Sequence, residues 1–305
     1  MNSILSKAKS GTQHGGRPPA AVEIAPEGVL AASLAGKGQR PTYAFAPLPD
    51  GAVAPGIGEA NLHAPEAVAA AIRTALDQVS PRTRSVTLVL PDTSVRVFVL
   101  DFDSLPSKAA DAISVLRFRL RKMVPFDAEH AGISYQVLSE DKTECRVLAA
   151  VVPGPIRAEY EAAVRAAGFE PGALLPSALA ALAAVDTQEA VLAACLTDVS
   201  LTTSITRRED LLLYRTLELP ADPKQRLSEV QRGIAVAVAY FEDRLITRPR
   251  QLRYAGNGAA DDFARWIKDP ELTVVELAPR PETGAATALG NLSLAGVAGA
   301  LAGAN

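Results

Sequence analysis

Apolar and polar positions alternate loosely over residues 20–35, in the run Ala21-Val-Glu-Ile-Ala-Pro-Glu-Gly-Val-Leu-Ala-Ala-Ser-Leu34. That pattern predicts a strand, a turn at 26–28 and a second strand. A third strand is expected around 43–46, followed by a Pro/Gly-rich loop at 48–58. The spacing then becomes helical over 67–79, where Val68, Ile72, Leu76 and Val79 share one face. A short, wholly apolar strand follows at 86–90, and a bulkier one at 95–102. Residues 107–123 read as an amphipathic helix with Ser107 as N-cap. Its buried stripe is Ile113, Leu116, Leu120 and Met123; Arg117, Arg121 and Lys122 lie off it as a solvated face, and Pro125 stops it. Strands at 133–138 and 146–152 come next, then a helix at 156–167 closed by Gly168. A short strand near Ala173 and Leu174 and a helix at 177–184 complete this half.

The same order then begins again. A strand runs through Cys195, a turn spans 197–199, and further strands pass through Thr203 and over 211–219. A long helix at 224–245, a strand at 251–255 ending in Gly256-Asn257-Gly258, a helix at 261–268, a strand at 273–277 and an apolar terminal helix from 285 follow. Two groups that each open strand-turn-strand-strand-helix predict two related lobes, each an α/β layer with a mixed sheet.

Composition narrows the function classes. The 305 residues suit one large or two ordinary domains, and 48% are apolar, too many for a disordered chain. A net charge of −3, from 31 basic and 34 acidic side chains, lacks the basic excess of a nucleic-acid binder. Much of the apolar fraction is alanine, so the core is expected to be thin. Residues 1–20 carry Lys7, Lys9, Arg17 and several glycines without an apolar run, which reads as a disordered tail and not a secretory signal. The most apolar stretch, 285–304, is broken by Asn291, Ser293 and four glycines, so a packed terminal helix is expected and no membrane span.

Catalytic material is scarce. His14, His63 and His130 stand apart from one another, and so do Cys145 and Cys195. The histidines read as surface or structural groups. The cysteines lie in apolar strand-like runs and read as small buried hydrophobes in a reducing compartment. No metal-ligand spacing, nucleophile elbow or Gly-x-x-x-x-Gly-Lys phosphate loop is present, and no metal is expected.

The run Val86-Thr-Leu-Val-Leu-Pro91, the bulky strand to Phe102 and the helix after it resemble the PilM family, the actin-like assembly proteins of type IV pilus machines. So do Lys122-Met-Val-Pro-Phe-Asp127, Ser134-Tyr-Gln-Val-Leu138 and Val147-Leu-Ala-Ala-Val-Val-Pro153. Ala166-Ala-Gly-Phe-Glu-Pro171 and Leu175-Pro-Ser-Ala-Leu-Ala180 continue the match. The resemblance is good over 86–184 and weaker elsewhere. It implies a two-lobed actin-like (FtsA/PilM-like) fold with a small inserted subdomain and a reduced second lobe. The first lobe would take 21–90, 173–186 and 285–305, the insertion 91–168, and the second lobe 190–280. The second lobe would keep one helix where the family has a subdomain walling off the adenine. The family binds a short cytoplasmic peptide of the inner-membrane protein PilN near the inserted subdomain, contacts other pilus assembly proteins, and commonly binds ATP with Mg²⁺. Phe126, Asp127 and Tyr135 are the partner-binding candidates. For the Pro-Phe-Asp run the residues themselves also suggest a structural role, in which Pro125 ends a helix, Phe126 fills a gap and Asp127 caps the next turn.

The chain departs from the family where phosphate would sit. The first phosphate loop, Asp-Ile-Gly in the family, corresponds to Glu23-Ile24-Ala25-Pro26-Glu27. Pro26 has no N–H to donate, Glu27 brings negative charge, and Ala25 lacks the close approach that glycine permits. The second loop corresponds to Cys195-Leu196-Thr197, with Asp198 read as a turn residue. Gly256, Asn257 and Gly258 resemble the adenosine loop and are the residual cofactor-binding candidates. The expectation is therefore a cytoplasmic, non-enzymatic scaffold peripheral to the inner membrane through its partner, with nucleotide binding lost. The alternatives are a divergent actin-like ATPase and the cytoplasmic part of a GspL-like type II secretion protein; the latter would require a following membrane helix, and the sequence ends at Asn305 without one.

Overall fold

The structure, a computed structural model, describes residues 17–34, 36, 40–185, 187–208, 210–278 and 292–302. Strands β1 (Ala20–Ala25) and β2 (Gly28–Ser33) pair antiparallel across the Pro26-Glu27 turn, and β3 (Thr42–Pro47) pairs with β2. Strand β4 (Ser85–Leu90) lies parallel to β1, and β8 (Glu170–Pro176) lies parallel to β4. The first sheet is thus ordered β3-β2-β1-β4-β8.

Helix α1 (Pro65–Val79) covers one face of this sheet. Its Val68, Ile72, Ala75 and Leu76 recur at helical spacing and are buried against Val22, Ile24, Leu88 and Leu90. Helix α3 (Gly154–Ala166) adds Ile156, Tyr160 and Val164 to the same core. Gly168, at φ +90°, turns the chain out of α3 into β8, as a left-handed C-terminal glycine does. On the other face lie α4 (Ser177–Leu182) and the terminal helix α7 (Ala295–Ala302). These two helices meet almost backbone to backbone. A Cβ at Gly299 would stand 1.9 Å from the Ala180 carbonyl oxygen, so only glycine fits there.

Between β4 and β8 the chain leaves the sheet. A 3₁₀ turn, Asp92–Ser94, leads into β5 (Arg96–Phe102), α2 (Ala109–Leu120), β6 (Gly132–Glu140) and β7 (Cys145–Val152). These three strands form a small antiparallel sheet, β5-β7-β6, with α2 packed on it. Ala112, Leu116 and Leu120 of α2 bury against Tyr135, Val147 and Ala149.

The second lobe repeats the first. Strands β9 (Ala190–Leu196), β10 (Ser200–Arg207), β11 (Asp210–Glu218), β12 (Gln251–Gly256) and β13 (Thr273–Glu276) are ordered β11-β10-β9-β12-β13. Only α5 (Pro223–Leu245) lies between β11 and β12, and only α6 (Ala260–Ile267) between β12 and β13. Asp222 caps α5, its side chain accepting from Gln225 N at 2.9 Å, and Pro223 occupies the first turn where its missing N–H costs nothing.

Three expectations are corrected. Ser107 does not cap α2: the helix starts after Lys108 with no side-chain cap. Met123 is 41% exposed, because the helix ends at Leu120 and Val124 turns into the core in its place. Residues 17–20, assigned to the tail, belong to the fold. The Pro19 carbonyl accepts from Leu34 N at 2.8 Å and Ala20 opens β1, while 1–16 lie outside the described residues. The expected terminal helix from 285 is observed over Ala295–Ala302; 279–291 and 303–305 lie outside the described residues. No helix among the described residues is long and apolar enough to cross a membrane.

Candidate functional site

The β1–β2 turn, the 3₁₀ turn after β4, the N-terminus of α4, the end of β9 and the end of β12 converge on one cleft between the lobes. Gly256 and Asn257 line it, facing Ala25 and Glu27 from the opposite lobe. Asn257 Nδ2 donates to Glu27 Oε1 at 2.9 Å, so the β1–β2 turn and the end of β12 are bonded to each other across the cleft. Gly258 adopts φ +86° just after, and a Cβ at Gly256 would press to 2.6 Å from the Leu196 carbonyl.

The space left is about 70 Å³, against roughly 300–1,000 Å³ for sites that enclose small molecules. Side chains and the C-terminal segment fill the remainder. Leu292, Ser293, Ala295 and Gly296 enter the cleft wall, and Glu23 is packed against Gly296, where a Cβ would stand 2.4 Å from Glu23 Oε2.

The electrostatics are one-sided. Glu23, Glu27 and Asp92 line the cleft, and no Lys or Arg does among the described residues. Burial pushes the Glu23 carboxyl up to about 7, against the hydrogen bond donated by Ser177 Oγ at 2.5 Å; the neighbouring charges of Asp92 and Glu27 add to the rise. Burial likewise pushes Asp92 up to about 6, opposed by three donors: Ala178 N at 3.1 Å, Tyr214 OH at 3.0 Å and Thr202 Oγ1 at 3.2 Å. Asp92 therefore joins both lobes, since Ala178 opens α4 while Thr202 and Tyr214 belong to β10 and β11. Burial and these carboxylates hold the Cys195 thiol well above its usual range.

Asp198 does not line the cleft. It is exposed, 3.9 Å from Arg226, while Thr197 Oγ1 organises the turn by accepting from Val199 N and Ser200 N.

The partner candidates lie elsewhere, on β6 and the loop before it, and are not gathered into one surface. Tyr135 is corrected: it is 8% exposed, part of the core under α2, because β6 points it towards Leu116 and Leu120. Phe126 is half-buried at the margin of that core. Asp127 is exposed in the loop between α2 and β6. It accepts from Glu129 N at 2.8 Å and pairs with His130 Nδ1 at 2.5 Å, which lowers its own pKa and raises that of His130. His63 faces the Ala60 carbonyl at 3.2 Å, and no group of metal ligands forms among the described residues.

Asp92 escapes a reading of the sequence. The only local signal is an acid directly after a fully apolar strand and a proline, Leu90-Pro91-Asp92. Its partners Thr202 and Tyr214 lie far along the chain and carry no signal of their own.

No family model matches this chain, and no curated protein sequence does. Solved structures do. The chain superposes on a PilM–PilN type IV pilus biogenesis complex with a TM-score of 0.72 and 18% identity, over 94% of this chain and 97% of that one. The cytoplasmic domain of EpsL, an inner-membrane component of the type II secretion system of Vibrio cholerae, matches with a TM-score of 0.50 and 13% identity, over 88% and 92%. The fold is thus the actin-like, PilM-like one, with mixed sheets in two lobes and a three-stranded insertion.

Proposed function

We propose that this chain is a non-enzymatic scaffold of a type IV pilus inner-membrane assembly complex. In this reading it is cytoplasmic, sits at the membrane through its partners, and binds a short cytoplasmic peptide of a PilN-like membrane protein. The near full-length likeness to a PilM–PilN complex supports the assignment. The filled cleft supports the absence of turnover and is the observation on which it rests. Three carboxylates without a cation oppose a triphosphate, and Pro26 offers no N–H to hold one. An extended peptide needs no such cleft; it is held by main-chain bonds and a few apolar pockets. The margin of the inserted sheet near Phe126 and Asp127 is the proposed contact, and other pilus assembly proteins would join the same complex.

Calorimetric titration tests both halves. A PilN-like N-terminal peptide should bind saturably, and ATP with Mg²⁺ should give no saturable heat. Low-micromolar, Mg²⁺-dependent ATP affinity would overturn the loss of nucleotide. Failure of every such peptide, alongside measurable ATP turnover, would replace the scaffold by an actin-like ATPase. The likeness to the EpsL domain supports a secretion-system counterpart less well, at its lower TM-score; preferential binding of a secretion-type membrane tail would select it.

A further inference from the structure

Helix α2 buries Leu116 and Leu120 in the inserted sheet, but its opposite side carries no partner among the described residues. There Phe118 is 65% exposed, with Val115 at 37% and Met123 at 41%. Basic residues surround them. Lys108, Arg117, Arg119, Arg121 and Lys122 stand against the single acid Asp111, five minus one, within residues 108–123 of a chain whose net charge is −3.

Several cations on other helices are neutralised within their own helix. Arg157 and Arg165 pair with Glu161, Arg232 with Glu229, and Arg265 with Asp262, each within a turn of helix. Arg117 is taken up by the fold, donating to the carbonyls of Ala128 and Glu129. Lys108, Arg119, Arg121 and Lys122 make no ion pair among the described residues. Arg121 and Lys122 instead border the Phe118 ring, 6.0 and 5.8 Å from its centroid. An exposed aromatic flanked by unpaired cations is complementary to a surface that is apolar beneath and anionic on top.

We propose that α2 is an interfacial helix that docks on an anionic phospholipid bilayer. Phe118, with Val115 and Met123, enters the boundary of headgroups and acyl chains. Arg121, Lys122 and Arg119 reach the lipid phosphates, their stems lying along the apolar patch. A bilayer suits this face better than an acidic protein does, because Phe118 stands 65% exposed on a single helix with Arg121 and Lys122 beside its ring, a combination that an apolar interior under an anionic surface accepts. The inference deepens the scaffold reading only in bringing the chain to the membrane directly, and does not need the PilN-like peptide.

Co-sedimentation of the full chain with vesicles of phosphatidylglycerol and phosphatidylcholine tests it, with pure phosphatidylcholine as control. Binding is expected to the anionic vesicles and to weaken as salt rises through the physiological range. Phe118→Ser, and separately Arg121→Glu with Lys122→Glu, should each weaken it about fivefold or more. Thermal midpoints should stay unchanged, since these side chains lie outside the core. Trp266→Phe, on α6 of the second lobe, removes the only tryptophan and should leave binding intact. In that background Phe118→Trp should shift its emission to the blue on adding anionic vesicles. No binding to anionic vesicles, or binding indifferent to both α2 variants, overturns the proposal. So does an acidic soluble protein captured through Phe118 by a chain that ignores vesicles. Peptide titration of the same variants keeps the outcomes apart: loss of vesicle binding with peptide binding intact leaves the scaffold reading standing.

Discussion

The two lobes share one strand order, with the third, second, first, fourth and fifth strands side by side, and differ in what their connections carry. In the first lobe the link from fourth to fifth strand holds a whole three-stranded sheet; in the second it holds only α6. The first-lobe hairpin turn sends Glu27 across the cleft to Asn257, while the second-lobe turn is closed on itself by Thr197. Buried apolar strands fix the architecture, and the turns at their ends are free to change chemistry without disturbing it. The lobes here have used that freedom to bond to each other across the cleft.

The largest expected effect comes from breaking the packing that only the first lobe has, α7 on α4. Gly299→Val should cost about 3 kcal/mol or more, since backbone on the far side cannot retreat; denaturant unfolding measures it. Next is the half-buried acid on the first-lobe side of the cleft, whose Oε2 is shut off from solvent. Glu23 has a folded pKa raised to about 7, so its contribution is fully present below its ordinary pKa and is lost as pH rises through 7. Glu23→Gln should therefore stabilise the protein at pH 8 by about 2 kcal/mol and hardly at all near pH 4. Thermal melts across that range test the sign, and an equal gain at both pH values would refute it.

A smaller effect follows from untying the lobes. Asn257→Ala removes the bond to Glu27 and should cost about 1 kcal/mol, read in the same melts. Smallest is a contrast between helix ends. Helix α3 leaves through Gly168, but α5 ends on Ile246 at φ +54°, an exposed β-branched residue in the left-handed region. Ile246→Gly should stabilise by about 0.5–1 kcal/mol through relief of that strain; no gain in the thermal midpoint would mean the second lobe absorbs it.

Much of this fold was legible because its signals are local. The alternation across 21–34, the helical spacing over 67–79 and the glycine after α3 each act over a few residues. Helix α2 was legible in its Leu116 and Leu120 stripe, while Met123 proved exposed and Ser107 was a plausible cap left unused. The resemblance to the PilM family lay in the segment around the inserted sheet, and the turn after β1 could be read directly as a proline and a glutamate.

The cleft itself was not legible. That Asp92 is buried, that the half-buried Glu23 turns its carboxyl inward, and that Tyr135 is core and not surface, depends on neighbours brought from elsewhere. Asp92 meets Tyr214 across 122 positions of sequence, and Asn257 meets Glu27 across 230. The sequence by itself determined which segments form strands and helices, and that two groups of them repeat, because hydrogen bonding and side-chain periodicity act over one turn or one pleat. Only the tertiary structure decided what stands between the lobes. Burial, and with it the raised pKa of a carboxylate, depends on everything packed around the group and not on its neighbours in the chain.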